Sequence, residues 1–149
     1  MYPAALGSNL YWGFTPDMHL TEDDPLATPQ NRYQLYAEWR RYWNTSKPIL
    51  LEKSPRHMLM TRLLQYWFST ERSFFVVVLR HPLANIKSQW SNADVDDCGE
   101  SWMKRWLDVQ EAMFRDLKYI RNHVAFYFEK LNSVQRYQSL KFVDRKSVV

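Results

Sequence analysis

The sequence predicts an α/β domain, a three-layer arrangement in which a parallel sheet is flanked by helices. Three observations carry this expectation. From residue 29 onward, strand-like runs alternate with helical periodicity, the order that gives parallel strands joined by helical crossovers. The run Phe74–Leu79 is apolar without alternation, as in a strand covered on both faces. The 149 residues are 46% hydrophobic and 16% aromatic, which suffices for the core of one domain. Residues 1–149 are therefore read as a single domain.

Each element has its own signal. Residues 1–27 are punctuated by Pro, Gly and Asp and read as loop. Thr28 and Pro29 suit the cap and first turn of a helix. Its apolar positions are Leu35, Tyr36, Trp39, Tyr42 and Trp43, and Asn44 with Lys47-Pro48 ends it. "ILLEK", from Ile49, reads as a first strand. A second helix is expected to start with Ser54 as cap and Pro55 at its first position, with Leu59, Leu63, Leu64 and Trp67 as its apolar face. Phe74–Leu79 is the next strand and Pro82–Trp90 a helix. A loop follows, with Asp97 and Glu100 in capping-box spacing. Residues 101–121 show helical periodicity through Trp102, Trp106, Met113, Leu117 and Ile120. "VAFYFE" reads as a third strand, and Ser133–Lys141 as a short last helix.

Composition excludes some functions. The single cysteine, Cys98, rules out an internal disulfide framework and a cysteine-based zinc site. The longest apolar run falls far short of a membrane span, and the first residues do not read as a signal peptide. The net charge of +4 is uneven: residues 1–31 hold Asp17, Glu22, Asp23 and Asp24 and no Lys or Arg. All twenty bases lie in the remainder, against twelve acids, which suggests an anionic partner for that part.

The carboxyl ends of the strands are where a parallel sheet collects binding residues. Arg80 sits at such an end, and Lys53 follows the "ILLE" run. Each run leads into a helix N-terminus, whose free N–H groups and dipole favour an anion. Ser88 is eight residues past Arg80, about two turns into the next helix. A lone arginine after a strand is commonly a surface ion pair. The repeated pattern of strand, base, proline and helix is harder to assign to decoration.

"LLEKSPRHMLMTRLLQYWF", "SFFVVVLRHPLANIKSQW", a Trp-rich helix and "VAFYFEKL" together resemble the sulfotransferases that use 3′-phosphoadenosine 5′-phosphosulfate (PAPS). The resemblance is to the Golgi carbohydrate and tyrosyl-protein branches and their bacterial relatives, and covers roughly residues 48–140. It implies a P-loop-like sulfotransferase fold, a PAPS co-substrate, no metal, and a glycan or tyrosine acceptor. Nucleic acid is not an expected partner. It implies that Arg80 and Ser88 hold the 3′-phosphate, that Lys53 lies near the transferring sulfuryl group, and that Glu129 is structural. It also implies a Golgi lumen, which the sequon Asn44-Thr45-Ser46 suits.

Arg offers a planar fork of donors to a phosphate, and Ser adds a hydroxyl. A lysine aimed at the sulfuryl group would stabilise charge that develops during transfer. The acceptor needs a general base. His19, Glu22 and His57 are the possible ones, although a surface or first-turn role is expected of each. The family's glycine-rich 5′-phosphosulfate loop has no counterpart: "GSNLYWG" lacks the Lys-Ser/Thr step, and the chain holds three glycines. The expectation is thus an incomplete domain that begins after that loop and ends early. A membrane anchor would belong to sequence preceding it. Two other readings stay open. One is a catalytically inactive, truncated remnant of the fold. The other is a nucleotide kinase-like protein, which the Arg–Ser segment disfavours.

Overall fold

The computed structural model describes residues 18–90 and 99–131. Residues 18–27 are irregular, as expected, and are tied down where the Leu20 amide donates to the Leu59 carbonyl at 2.9 Å. The capping pair Asp97–Glu100, the predicted helix Ser133–Lys141, "GSNLYWG" and Cys98 lie wholly or partly outside the described residues.

Helix α1 spans Pro29–Arg40. Thr28 caps it as predicted: its hydroxyl accepts from the Asn31 amide at 3.2 Å, with Pro29 in the first turn. It stops four residues before Asn44. The amides of Arg41 and Tyr42 bond three residues back, to Glu38 and Trp39, and so tighten the last turn. Leu35 is fully buried, and Trp39 stacks on Phe68 with centroids 5.4 Å apart.

The predicted second helix divides in two. Pro55–Leu59 is a 3-10 turn, Met60 breaks the path with φ −134° and ψ 10°, and helix α2 runs Thr61–Phe68. Ser54 precedes the turn in extended conformation, but its side chain makes no capping hydrogen bond. Burial explains the break. Leu59, Met60, Thr61, Leu63 and Leu64 are all buried. One straight α-helix, turning about 100° per residue, cannot bury three consecutive side chains on one narrow face. The break sends Leu59 toward Val109 and Ala112, while Met60 joins Leu35, Leu63, Leu64 and Trp67. The predicted apolar face itself is correct: Leu59, Leu63, Leu64 and Trp67 are each at most 5% exposed.

Strand β1, Phe75–Leu79, pairs in parallel with strand β2, His123–Tyr127. Between them come helix α3, Pro82–Trp90, and helix α4, Gly99–Leu117. Met113 and Ile120, predicted for the apolar side of α4 and its continuation, are buried together with Val109 and Ala112. Helix α5, Phe128–Leu131, follows β2 directly. The expected third strand therefore ends at Tyr127 rather than Glu129.

The α/β class and the parallel pairing thus hold. With two described strands the sheet is too small to establish the three-layer arrangement. Two expectations need correction. The segment Ile49–Lys53 is no strand. Ile49 and Leu51 are 82% and 78% exposed, and the Leu51 carbonyl accepts the Trp43 indole N–H at 2.9 Å. That bond holds the segment against the end of α1, and its apolar residues meet no pleated neighbour to pack on. Nor is Phe74–Leu79 covered on both faces: Phe74, Val76 and Val78 are 60%, 54% and 47% exposed, while Val77 is buried.

The amino end of the strand pair is cross-tied. Asn122 donates from its side chain to Thr70 O at 2.7 Å and Ser73 O at 3.3 Å. Gln65 of α2 donates to Tyr119 O and accepts from the Arg121 amide, each at 2.9 Å. These bonds fix the relative height of β1 and β2, and so the position of whatever their carboxyl ends carry.

Candidate functional site

The register pairs Leu79 with Tyr127, so the two strands end level. The next residue on each side is Arg80 and Phe128. The Arg80 guanidinium lies over the Phe128 ring, 5.3 Å from its centroid. Arg80 is exposed, and among the described residues no carboxylate lies within 4.0 Å of it. An arginine after a strand is commonly held by an acid on the surface. This one is held by an aromatic face, which leaves its donor fork to other acceptors.

One residue on, the His81 amide donates to the Glu129 carboxylate at 2.7 Å. This N–H, foremost, holds the Glu129 carboxyl below the usual range, with the charges of His81 and Arg80 contributing less. Glu129 thus ties the β1–α3 turn to the start of α5, the structural role expected of it. Helix α3 opens at Pro82, with the Asn85 amide bonded to His81 O at 3.0 Å. Ser88 sits on α3, half-buried, two turns beyond Arg80. Arg80, the N-terminus of α3 and Ser88 are therefore consecutive features of one strand-to-helix unit, as the spacing predicted.

Lys53 does not share this unit. It is exposed, on the extended segment before the 3-10 turn, and among the described residues no acid lies within 4.0 Å of its ammonium. The strand that was to carry it to the carboxyl edge of the sheet is not formed.

The three possible bases have other employment. His19 Nε2 lies 2.8 Å from Asp116 Oδ2, and the Asp116 side chain is 2% exposed. Asp116 is at the end of α4, which delivers the chain to the amino end of β2, the end opposite Arg80. Glu22 forms a two-pronged pair with Arg62, one prong from Nε at 2.8 Å. That pair lowers the Glu22 pKa and raises that of Arg62, whose guanidinium also stacks on Tyr119 at 4.3 Å. His57 is in the 3-10 turn with its ring edge-on to Trp39 at 5.4 Å, and burial lowers its pKa to about 4. It stays neutral at physiological pH. His57 keeps the first-turn place expected of it, but its ring is buried, and His19 and Glu22 are half-buried in ion pairs rather than simply at the surface.

Two residues of functional interest escaped the sequence reading. Phe128 is the platform under Arg80; its signal was the parallel register, which makes residues 80 and 128 neighbours. Asp116 is the partner of His19; its signal was a lone acid on the buried side of the α4 pattern. Among the described residues no three His, Cys, Asp or Glu gather to hold a metal ion. Nor, among them, is any helix long and apolar enough to cross a membrane. In comparisons with known proteins, no family model, no curated protein and no solved structure matches the chain.

Proposed function

We propose that residues 1–149 form part of a PAPS-dependent sulfotransferase domain that moves a sulfuryl group to a hydroxyl or amine of a glycan or a protein tyrosine. One observation carries the reading: Arg80, at the carboxyl end of a parallel strand, rests on Phe128 and has no carboxylate partner among the described residues. A guanidinium so exposed and so held is supplied with donors that a phosphate would accept. In this reading Arg80 and Ser88 bind the nucleotide 3′-phosphate, the N-terminus of α3 adds its dipole, and Glu129 keeps the turn in place. The Golgi lumen is the compartment proposed. Asn44 of the sequon is exposed, and Ser46 donates to its side-chain oxygen from Oγ at 2.7 Å.

Lys53 is the proposed catalytic residue, and its role rests on the Glu-Lys-Ser-Pro resemblance alone. From an exposed, extended segment its long side chain would stabilise charge on the transferring group. The test is single-turnover transfer from labelled PAPS to glycan and tyrosine acceptors by these residues joined to a glycine-rich 5′-phosphosulfate loop, beside binding of 3′,5′-adenosine bisphosphate. Lys53→Ala should lower the rate on the order of a hundredfold or more and leave nucleotide affinity nearly unchanged. A wild-type rate in the variant returns Lys53 to the surface. Failure of the unsubstituted protein to bind the nucleotide at all refutes the sulfotransferase reading.

A further inference from the structure

A second site lies at the other end of β1. A groove of about 460 Å³ runs between α1 and α2, lined by Arg32, Tyr33 and Tyr36 on the first helix and by Tyr66, Trp67 and Arg72 on or just after the second. Arg72 precedes β1 by three residues, whereas Arg80 follows it. The five residues of the strand separate the two by about 15 Å. The groove is therefore independent of the proposed nucleotide site, and of the proposed activity.

Its chemistry is one-sided. Arg32 and Arg72 are both exposed, and among the described residues neither has a carboxylate within 4.0 Å. Glu71 is the natural partner for Arg72, but its oxygens are taken by Ser69 Oγ at 2.8 Å and Arg121 Nη1 at 3.3 Å. Trp67 lines the groove while only 5% exposed, and its indole N–H is a buried donor with no hydrogen-bond partner among the described residues. A buried donor of this kind is rare in a finished interior. Among the described residues the lining holds no carboxylate and no side-chain amide. It offers guanidinium and hydroxyl donors and asks for acceptors.

The walls add ring faces. Tyr33 and Tyr66 are 72% and 60% exposed, one from each helix. At the floor the chain turns through Ser69, which has φ 77° and is the sole non-glycine residue with positive φ among those described. A side chain held in that region is a feature that functional sites retain. The groove is open to solvent rather than enclosed, so it suits one part of an extended ligand.

We propose that this groove binds an acidic oligosaccharide. The tyrosine rings take the apolar faces of sugar rings, and the two arginines take carboxylate or sulfate groups. Free carboxylates and sulfates share this chemistry, and the probes separate them. Titrate the protein with a hyaluronan hexasaccharide, which carries carboxylates only. Titrate it also with a heparin-derived hexasaccharide, which carries sulfates too, with neutral maltohexaose and with a thymidylate hexamer. At least one acidic sugar should bind, tightest at low salt, and maltohexaose should bind at least tenfold more weakly. The double variant Arg32→Ala/Arg72→Ala should lose tenfold or more for the acidic sugar, while Arg40→Ala, an exposed arginine of α1 that does not line the groove, should lose none. The Trp67 indole N–H resonance, assigned by its absence in Trp67→Phe, should shift on saturation. Equal binding of neutral and acidic sugars, an undiminished affinity in the double variant, or a preference for the thymidylate hexamer would each overturn the proposal.

Discussion

Arg80 and His57 are each understood through what surrounds them rather than through their own type. Arg80 was legible in the sequence as an arginine at a strand end. What was not legible is the aromatic face beneath it, because Phe128 is distant in the chain and only the β1–β2 register brings it level. His57 was legible as a first-turn residue. Its burial was not, because that depends on Trp39 arriving from another helix. The consequence is measurable. An unfolded histidine titrates near pH 6.5, whereas burial lowers the folded value to about 4. The unfolded chain thus binds a proton that the folded chain refuses. This contribution to stability is complete above the unfolded pKa and is lost as pH falls toward the folded one, by up to about 3 kcal/mol. Glu22, Glu71 and Glu129 also have lowered pKa values, so their contributions fade only as pH falls through and below 4.5. Between pH 6.5 and 4.5 the difference between the protein and its His57→Gln variant therefore reports on His57 rather than on these carboxylates. Urea unfolding across it should show stability falling with acidity in the unsubstituted protein and a flatter profile in His57→Gln. The same slope in both would assign the acid sensitivity elsewhere.

At the scale of elements, periodicity was a good guide to which residues face inward and a poorer guide to path. The pattern Leu59, Leu63, Leu64 and Trp67 marked the buried face correctly. It could not show that Met60 interrupts the helix, since the break exists to divide neighbouring side chains between two clusters. "ILLEK" misled for the opposite reason. A short apolar run has the composition of a strand, but strand formation needs a neighbouring edge, and the structure ties this run to Trp43 instead. Two truncations separate these cases. Leu63→Ala removes a fully buried side chain and should cost about 2–5 kcal/mol in urea unfolding. Leu51→Ala removes one that is 78% exposed, and should stay within about 0.5 kcal/mol. A loss at Leu51 comparable to that at Leu63 would mean that residues 49–53 are packed as a strand after all.

For the molecule as a whole, alternation of strand and helix conveyed the class, and the uneven charge only suggested an anionic partner. The extent of the sheet was beyond its reach, because coverage of a strand depends on elements brought from elsewhere, and Val76 and Val78 are left open here. Two cationic places follow from this architecture, one at each end of β1, and only the one at the carboxyl end was visible in advance. The central claim is that Arg80 recognises a nucleotide 3′-phosphate. It is tested most directly by calorimetric titration of the protein and its Arg80→Ala variant with two ligands. These are 3′,5′-adenosine bisphosphate and adenosine 5′-monophosphate, which lacks the 3′-phosphate. The account predicts that the unsubstituted protein prefers the bisphosphate. Loss of a charged hydrogen-bond pair worth roughly 1.5–3 kcal/mol should weaken that ligand about ten- to hundredfold in the variant, with the monophosphate unaffected. Equal losses for both ligands, or none for either, would contradict it.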